Sequence, residues 1–151
     1  MKVAGQVVVV TGGAGGIGRA LAERFHREGA KAVVVADLDG AGAEAVARSI
    51  GGAGLACDVA WEADIVNLVV ETERRFGPIG LFCSNAGIAT FEPSEGTVAS
   101  TPNEKWERSW AVNVMAHVYA ARALLPRMIP RGGGYFRSEE HTSELQSRHN
   151  L

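Results

Sequence analysis

Short runs of apolar residues alternate along this chain with longer segments in which apolar side chains recur at helical spacing. The short runs predict strands buried on both faces of a sheet. They span residues 6–11, 32–36, 54–57 and 79–83. The segments 19–28 and 41–50 between them predict helices. One face of a third helix is marked by Ile65, Leu68, Val69, Thr72 and Phe76.

A further helix is predicted by a start signal in the second half of the chain. Thr101 and Glu104 have the spacing of a capping box, with Pro102 at the first helical position. We expect this helix to run to the region 126–130, and residues 132–136 then lead into a fifth strand. Strand and helix alternate throughout, which predicts an α/β fold: a Rossmann-like, doubly wound parallel sheet with helices on both faces.

Composition and charge narrow the class of protein. The chain has 151 residues, of which 46% are hydrophobic, and a net charge of −2. These values are typical of a globular domain, and the nearly neutral charge argues against a nucleic-acid partner. Cys57 and Cys83 are too few for a disulfide framework and lack the spacing of metal ligands, so we expect no metal. The valine run near the N-terminus is too short for a signal peptide or a membrane span, so we expect a cytoplasmic protein with no membrane partner.

A cluster of glycines is the first feature of the sequence that indicates a binding site. Gly12, Gly16 and Gly18 lie where the first predicted strand passes into the first helix. Glycine allows the backbone to approach a ligand closely, and a helix N-terminus presents free N–H groups to a pyrophosphate. A tight turn that only packs against the sheet is the alternative. The position within a strand–helix–strand unit favours dinucleotide binding, and a nucleoside-triphosphate loop is disfavoured because no Gly-Lys-Ser/Thr follows.

An acidic residue ends the second predicted strand. Asp37 lies nineteen residues beyond Gly18, where a carboxylate can accept hydrogen bonds from the ribose hydroxyls of NAD. The alternative is a helix cap, because Asp39 follows and a helix begins nearby. The negative charge would repel a 2′-phosphate, and no Arg or Lys stands in the glycine loop or just after Asp37. The expected cofactor is therefore NAD rather than NADP.

Three ordered motifs make the chain resemble the short-chain dehydrogenase/reductase family. They are T-G-x-x-x-G-x-G at residues 11–18, Asp58-Val59, and Asn85-Ala86-Gly87. The resemblance extends over residues 3–136 and includes Trp106 and the stretches 112–114 and 125–128. These motifs together disfavour a non-redox Rossmann protein such as a methyltransferase.

The resemblance implies a role for each matched position. It implies that the glycine loop holds the pyrophosphate, Asp37 and Leu38 the adenosine ribose, and Asp58 and Val59 the adenine. It implies that Asn85, Ala86 and Gly87 brace the sheet near the nicotinamide-side ribose. The loop residues concerned are Gly12, Gly13, Gly15, Gly16, Ile17 and Gly18. Asn113 corresponds to the catalytic asparagine of the family; a kink or a satisfied polar group within the long helix is the alternative.

The family's reaction is hydride transfer between a nicotinamide and an alcohol or carbonyl carbon of a small molecule. It uses a serine and a Tyr-x-x-x-Lys pair, in which the tyrosine acts as general acid and base. Here Tyr119 is followed four residues later by Ala123 and Tyr135 by Glu139, and the surroundings of Ser138 do not resemble the family's serine region. We therefore expect the parent protein to be an NAD-dependent, homo-oligomeric dehydrogenase or reductase, and this chain to be inactive. The alternative function is a non-catalytic dinucleotide-binding fragment.

The last fifteen residues differ from the rest in composition. Residues 1–136 read as the N-terminal part of the nucleotide-binding domain, whereas residues 137–151 are polar and contain no glycine. The tail begins RSEEHTSELQS, which resembles the translation of a sequencing-library adapter. A natural polar tail is the alternative. We expect a domain truncated after about its fifth strand, with poor soluble expression and weak NAD binding.

Overall fold

A computed structural model describes residues 2–89 and 98–138. From residue 139 onward the predicted polar tail lies outside these ranges, as does the middle of the loop that precedes the predicted capping box. The strands are β1 (Val7–Thr11), β2 (Ala32–Asp37), β3 (Ala53–Ala56), β4 (Ile79–Ser84) and β5 (Tyr135–Ser138). The α-helices are α1 (Gly16–Arg27), α2 (Gly40–Ser49), α3 (Glu62–Phe76), α4 (Asn103–Trp110) and α5 (Ala116–Met128).

The five strands form one parallel sheet in the order β3-β2-β1-β4-β5. The chain therefore starts in the middle of the sheet, builds outward to β3, and returns to build the other half from β4. This arrangement confirms the predicted doubly wound α/β fold. The switch point lies between β1 and β4, where the connections leave in opposite directions and a crevice opens at the carboxyl ends of the strands.

Helices cover both faces of this sheet because side chains of a strand alternate between its two faces. Val7 and Val9 belong to the core beneath α3 and α5, while Val8 and Val10 belong to the core beneath α1 and α2. All four valines are buried, which explains why β1 reads as a continuous apolar run rather than as an alternating pattern. Within the described ranges, no helix has the length and apolar character needed to cross a bilayer.

Two details of the long helical segment differ from the sequence prediction. The first helix of that segment begins at Asn103 rather than Pro102, because Pro102 has an extended ψ of 150° and is itself the N-cap. The segment is also not one regular helix: a π-helical turn, Ala111–Met115, joins α4 to α5. Such turns insert an extra residue into the helical ladder and often occur at functional sites.

The fifth strand extends beyond the predicted boundary at residue 136. Phe82 pairs with Phe136, Cys83 with Arg137, and Ser84 with Ser138. The first two residues assigned from composition to the polar tail therefore lie in a strand position beside β4.

The Phe82 side chain offers a test of the packing of β4. It is fully buried, and its ring stacks on that of Phe136 with 6.0 Å between ring centroids. Removing a buried ring leaves a cavity, so Phe82→Ala is expected to lower the free energy of unfolding by about 3–5 kcal/mol. Val66→Ala, at an exposed position of α3, is the control and should change it by less than ~0.5 kcal/mol. Urea unfolding followed by circular dichroism measures both, and equal effects would contradict this packing.

Candidate functional site

A cavity of about 630 Å³ opens at the carboxyl ends of the strands, at the switch point between β1 and β4. Every residue predicted to bind a cofactor lines it, with the exception of Gly13. These residues are Gly12, Gly15, Gly16, Ile17, Gly18, Asp37, Leu38, Asp58, Val59, Asn85, Ala86 and Gly87. Cys57, Ile88, Arg108 and Val112 complete the lining. The fold thus brings predicted residues from four separate segments of the chain to one concave surface.

The glycine turn packs so closely that side chains would not fit at two of its positions. A Cβ at Gly18 would lie 2.1 Å from the carbonyl oxygen of Gly12, and one at Gly12 would lie 2.8 Å from Cα of Ala86. Gly12 also has a φ of +67°, which glycine adopts without strain. Gly13 faces the sheet instead of the cavity, since a Cβ there would come within 2.6 Å of Val35.

The N-terminus of α1 faces the cavity with polar backbone groups. The helix begins at Gly16, and the N-cap residue Gly15 provides no side-chain hydrogen bond. The first N–H groups of a helix have no intrahelical partner and carry a partial positive charge. A Cβ at Gly15 or Gly16 would meet nothing within 4 Å, so this part of the turn borders open space. The arrangement fits an anionic group such as a pyrophosphate.

Thr11 and Asn85 join the ends of β1 and β4. The buried Thr11 hydroxyl accepts hydrogen bonds from the backbone N–H groups of Asn85 (3.0 Å) and Ala86 (3.1 Å), and lies 3.4 Å from the Cys83 carbonyl, to which it donates. The Asn85 side chain donates back to the Thr11 carbonyl at 3.0 Å. These contacts set the width of the crevice between the two strand ends.

Asp37 and Asp39 have separate roles. Asp39 is the N-cap of α2 and accepts a hydrogen bond from the Gly42 N–H at 2.9 Å. Asp37 instead accepts from the N–H of Ala14 in the glycine turn at 2.9 Å and from the N–H of Asp39 at 3.0 Å. The cap that was the alternative explanation for Asp37 therefore belongs to its neighbour, and Asp37 is held against the glycine turn at the cavity wall.

Asp58 carries an ion pair that the sequence did not predict. Both of its carboxylate oxygens lie 3.0 Å from guanidinium nitrogens of Arg108 on α4, fifty residues away along the chain. Burial alone would raise the pKa of Asp58. The hydrogen bonds from Arg108 and from the Ala60 N–H, with the Arg108 charge, outweigh burial and hold that pKa below its ordinary value. No local pattern points to Arg108, because a contact over this separation exists only in the folded chain.

Cys57 lies between Asp58 and the end of β3 and is buried. Burial raises the pKa of its thiol to about 12, and the negative charges of Asp64, Asp58 and Asp37 add to the shift. The thiol therefore stays protonated at neutral pH and acts as an apolar part of the wall. Among residues 2–89 and 98–138, no group of three or more His, Cys, Asp or Glu side chains is arranged to hold a metal ion.

Asn113 lies behind the cavity wall, within the π-helical turn. Its side-chain oxygen accepts from the Ile88 N–H at 2.9 Å, and its amide donates to the Ile88 carbonyl at 2.9 Å and to the Ser109 hydroxyl at 3.2 Å. It thereby anchors the segment that follows Gly87. A second contact, also missed from sequence, places Nδ1 of His117 2.6 Å from the hydroxyl of Ser84 at the end of β4.

The profile of a family described as short chain dehydrogenase matches residues 6–135. The chain belongs to the short-chain dehydrogenase family. D-threitol dehydrogenase of Mycolicibacterium smegmatis is 34% identical over 138 residues, which cover 88% of this chain and 51% of that protein. The NADP-dependent (R)-specific alcohol dehydrogenase of Lentilactobacillus kefiri is 36% identical over 137 residues, covering 88% of this chain and 52% of that protein.

A solved structure of the family shows the same architecture. The 3-ketoacyl-(acyl-carrier-protein) reductase of Brucella melitensis, complexed with NADH, superimposes with a TM-score of 0.79 and 36% identity over 86% of this chain and 53% of that one. The chain therefore spans about half the length of the short-chain dehydrogenases it matches. The matched half includes β1 to β4 and the cavity at their carboxyl ends.

The hydroxyl of Thr11 can be tested by replacement with an apolar side chain of similar shape. Thr11→Val leaves the N–H groups of Asn85 and Ala86 without their acceptor, so the free energy of unfolding should fall by about 2–3 kcal/mol. Thr11→Ser keeps the hydroxyl and loses only a methyl group, which should cost about 1 kcal/mol. Urea unfolding of the three proteins measures the difference. If the Ser and Val variants are equally stable, the hydroxyl does not hold the strand ends.

The Cys57 thiol gives a prediction about pH. A shift of its pKa from 9.0 to about 12 lowers the thiolate population at pH 9 by a factor of several hundred. In a Cys83→Ala variant, the remaining thiol should therefore react with Ellman's reagent far more slowly in the native protein than in denaturant. Because the unfolded chain releases this proton first, stability should also fall as pH rises above 9. Equal reaction rates in the two states would contradict the buried, protonated thiol.

Proposed function

We propose that this chain binds NAD in the cavity at the carboxyl ends of its strands. The observation that supports this most is the order of polar groups along that edge. The glycine turn follows β1, Asp37 ends β2, and Asp58 follows β3, so a phosphate-binding surface, a ribose acceptor and a base pocket succeed one another along the sheet. The segment Asn85-Ala86-Gly87 borders the other side of the crevice, toward the nicotinamide end.

The dinucleotide fits the groups that this structure presents. The free N–H groups at the start of α1 would bind the pyrophosphate, and the open space at Gly15 and Gly16 would receive it. Asp37 would accept hydrogen bonds from the adenosine ribose, and Leu38 and Val59 would flank the adenosine with apolar surface. When bound, the nicotinamide ring supplies the hydride acceptor or donor of the family reaction.

The charge at Asp37 supports NAD over NADP as the ligand. A 2′-phosphate on the adenosine ribose would lie against this carboxylate. Among the described residues that line the cavity, the one cationic side chain is Arg108, whose guanidinium is paired with Asp58. A relative that is named NADP-dependent matches the chain about as well as others do, so family membership by itself does not choose between the two dinucleotides.

For the parent protein we propose NAD-dependent hydride transfer between an alcohol and a ketone or aldehyde of a small molecule. The 151 residues contain no Tyr-x-x-x-Lys pair. We therefore propose that this chain binds the dinucleotide without turnover. Asn113 would serve the parent as the catalytic asparagine, held in place by Ile88.

Assembly of the parent into a homo-oligomer is proposed from the outer surface of the long helical segment. Trp110, Val118 and Leu125 are exposed there, along α4 and α5. Apolar side chains repeated along one helical segment are typical of surfaces that pack against another subunit.

Titration of the purified chain with NADH and NADPH, followed by calorimetry, tests the proposed cofactor. The Asp37 carboxylate should make NADH bind about tenfold or more tightly than NADPH, because a phosphate a few ångströms away is repelled by one to several kcal/mol. Asp37→Asn should remove most of this preference. Asp39→Asn is the matched control, since asparagine also caps helices well, and it should keep the preference. Equal affinities in the unmodified chain would contradict the assignment of NAD.

The absence of turnover is tested separately. The same chain, incubated with NAD and a secondary alcohol, should produce no NADH absorbance above the rate without protein. A steady rate that scales with protein concentration would contradict the proposal that this chain is inactive.

A further inference from the structure

Among the lining residues that the structure describes, Arg108 is the one that reaches the cavity from α4 and carries a positive charge. Its two terminal nitrogens each contact a different oxygen of Asp58 at 3.0 Å, which is the bidentate geometry that fixes both the position and the plane of a carboxylate. The Asp58 side chain is 19% exposed and that of Arg108 39%, so the ion pair is partly sheltered from water. Rotation of the carboxylate would break both bonds.

Counting hydrogen bonds shows what remains free on Asp58. A carboxylate offers about four acceptor positions, two on each oxygen. Oδ1 accepts from Arg108 and from the Ala60 N–H at 3.0 Å, so both of its positions are used. Oδ2 accepts from Arg108 alone among the bonds of the described residues. One acceptor position therefore remains, and Arg108 determines the direction in which it points.

The strand order indicates which part of a ligand meets this acceptor. From the glycine turn after β1, the next strand outward ends at Asp37 and the one beyond it leads to Asp58. A dinucleotide whose pyrophosphate lies on the turn and whose ribose lies at Asp37 places its base at Asp58. A single acceptor at this point suits an exocyclic amine, such as the 6-amino group of adenine, and opposes a 6-oxo group.

We propose that Arg108 is a positioning residue that makes the base pocket selective for a 6-aminopurine, by orienting the free acceptor of Asp58. The inference rests on the proposed function, because it needs a dinucleotide in the cavity. Selectivity between bases then depends on a side chain of α4 and not on the segment after β3 alone.

The test compares two dinucleotides that differ only at the base. NADH carries adenine, and reduced nicotinamide hypoxanthine dinucleotide carries a 6-oxo group in place of the 6-amino group. The unmodified chain should bind NADH about tenfold more tightly than the hypoxanthine form, since a partly buried acceptor that faces the 6-oxo group is left unpaired. Calorimetry or quenching of tryptophan fluorescence gives both dissociation constants and hence their ratio.

Four variants distinguish positioning from a structural role. Arg108→Ala should reduce the ratio of affinities to about twofold or less, because loss of a charged hydrogen-bond partner frees the carboxylate to turn. Arg108→Lys keeps the charge without the bidentate geometry and should give an intermediate ratio. Asp58→Asn should also abolish the preference, since its amide can donate to the 6-oxo group. Arg122→Ala removes an ion pair between α5 and α3, to Glu62; neither residue lines the cavity, so the ratio should stay unchanged.

Each possible set of affinity ratios either supports or overturns the proposed role of Arg108. If Arg108 had only a structural role, its replacement would weaken the binding of both dinucleotides equally. An unchanged ratio of affinities in a folded Arg108→Ala or Arg108→Lys variant therefore overturns the inference. Equal affinities of the unmodified chain for the two dinucleotides overturn it as well, while the proposed function stands. If the unmodified chain binds neither dinucleotide, both the proposed function and this inference are overturned. Far-UV circular dichroism of each variant establishes that it is folded.

Discussion

A single buried hydroxyl holds together the place where the two halves of this fold meet. The Thr11 side chain at the end of β1 satisfies two backbone N–H groups of the segment that follows β4, and the Asn85 amide returns a bond to the Thr11 carbonyl. These contacts join β1 and the segment after β4 beyond the last paired residues of the two strands. The two halves are joined at the crevice because a side chain of each half is hydrogen-bonded there to the backbone of the other.

The glycine turn depends on the same junction. Gly18 lies against the carbonyl of Gly12, and a Cβ on Gly18 would also come within 2.7 Å of the Asn85 amide. The start of α1, the end of β1 and the Asn85 side chain therefore form one close-packed unit. A helix N-terminus fixed this tightly presents its N–H groups in one direction, which is the preorganisation that binding of an anion requires.

Different contacts hold the end of the cavity that lies beside β3, at Asp58. Around β1 and β4 the contacts are mostly between backbone groups and short polar side chains, whereas at the end of β3 the long Arg108 side chain reaches over from α4 to Asp58. α4 is followed by the π-helical turn in which Asn113 binds the backbone of Ile88. One helical segment therefore contacts both ends of the cavity, and its position affects Asp58 at one end and Ile88 at the other together.

Local sequence patterns were enough to predict the alternation of strands and helices, the parallel sheet, and the positions of the glycine turn and Asp37 at the cavity, because each depends on a few neighbouring residues. Asp58 and Asn85 were expected from the resemblance to the short-chain dehydrogenase/reductase family. The apolar run of β1 indicates a strand that is buried on both faces, and the glycines indicate a turn without room for side chains. The Arg108–Asp58 pair, the His117–Ser84 contact and the π-helical turn were not predictable in this way. Each depends on side chains or helix geometry brought together over many residues, and local periodicity does not encode which distant partner a charged group will meet once the helices pack on the sheet.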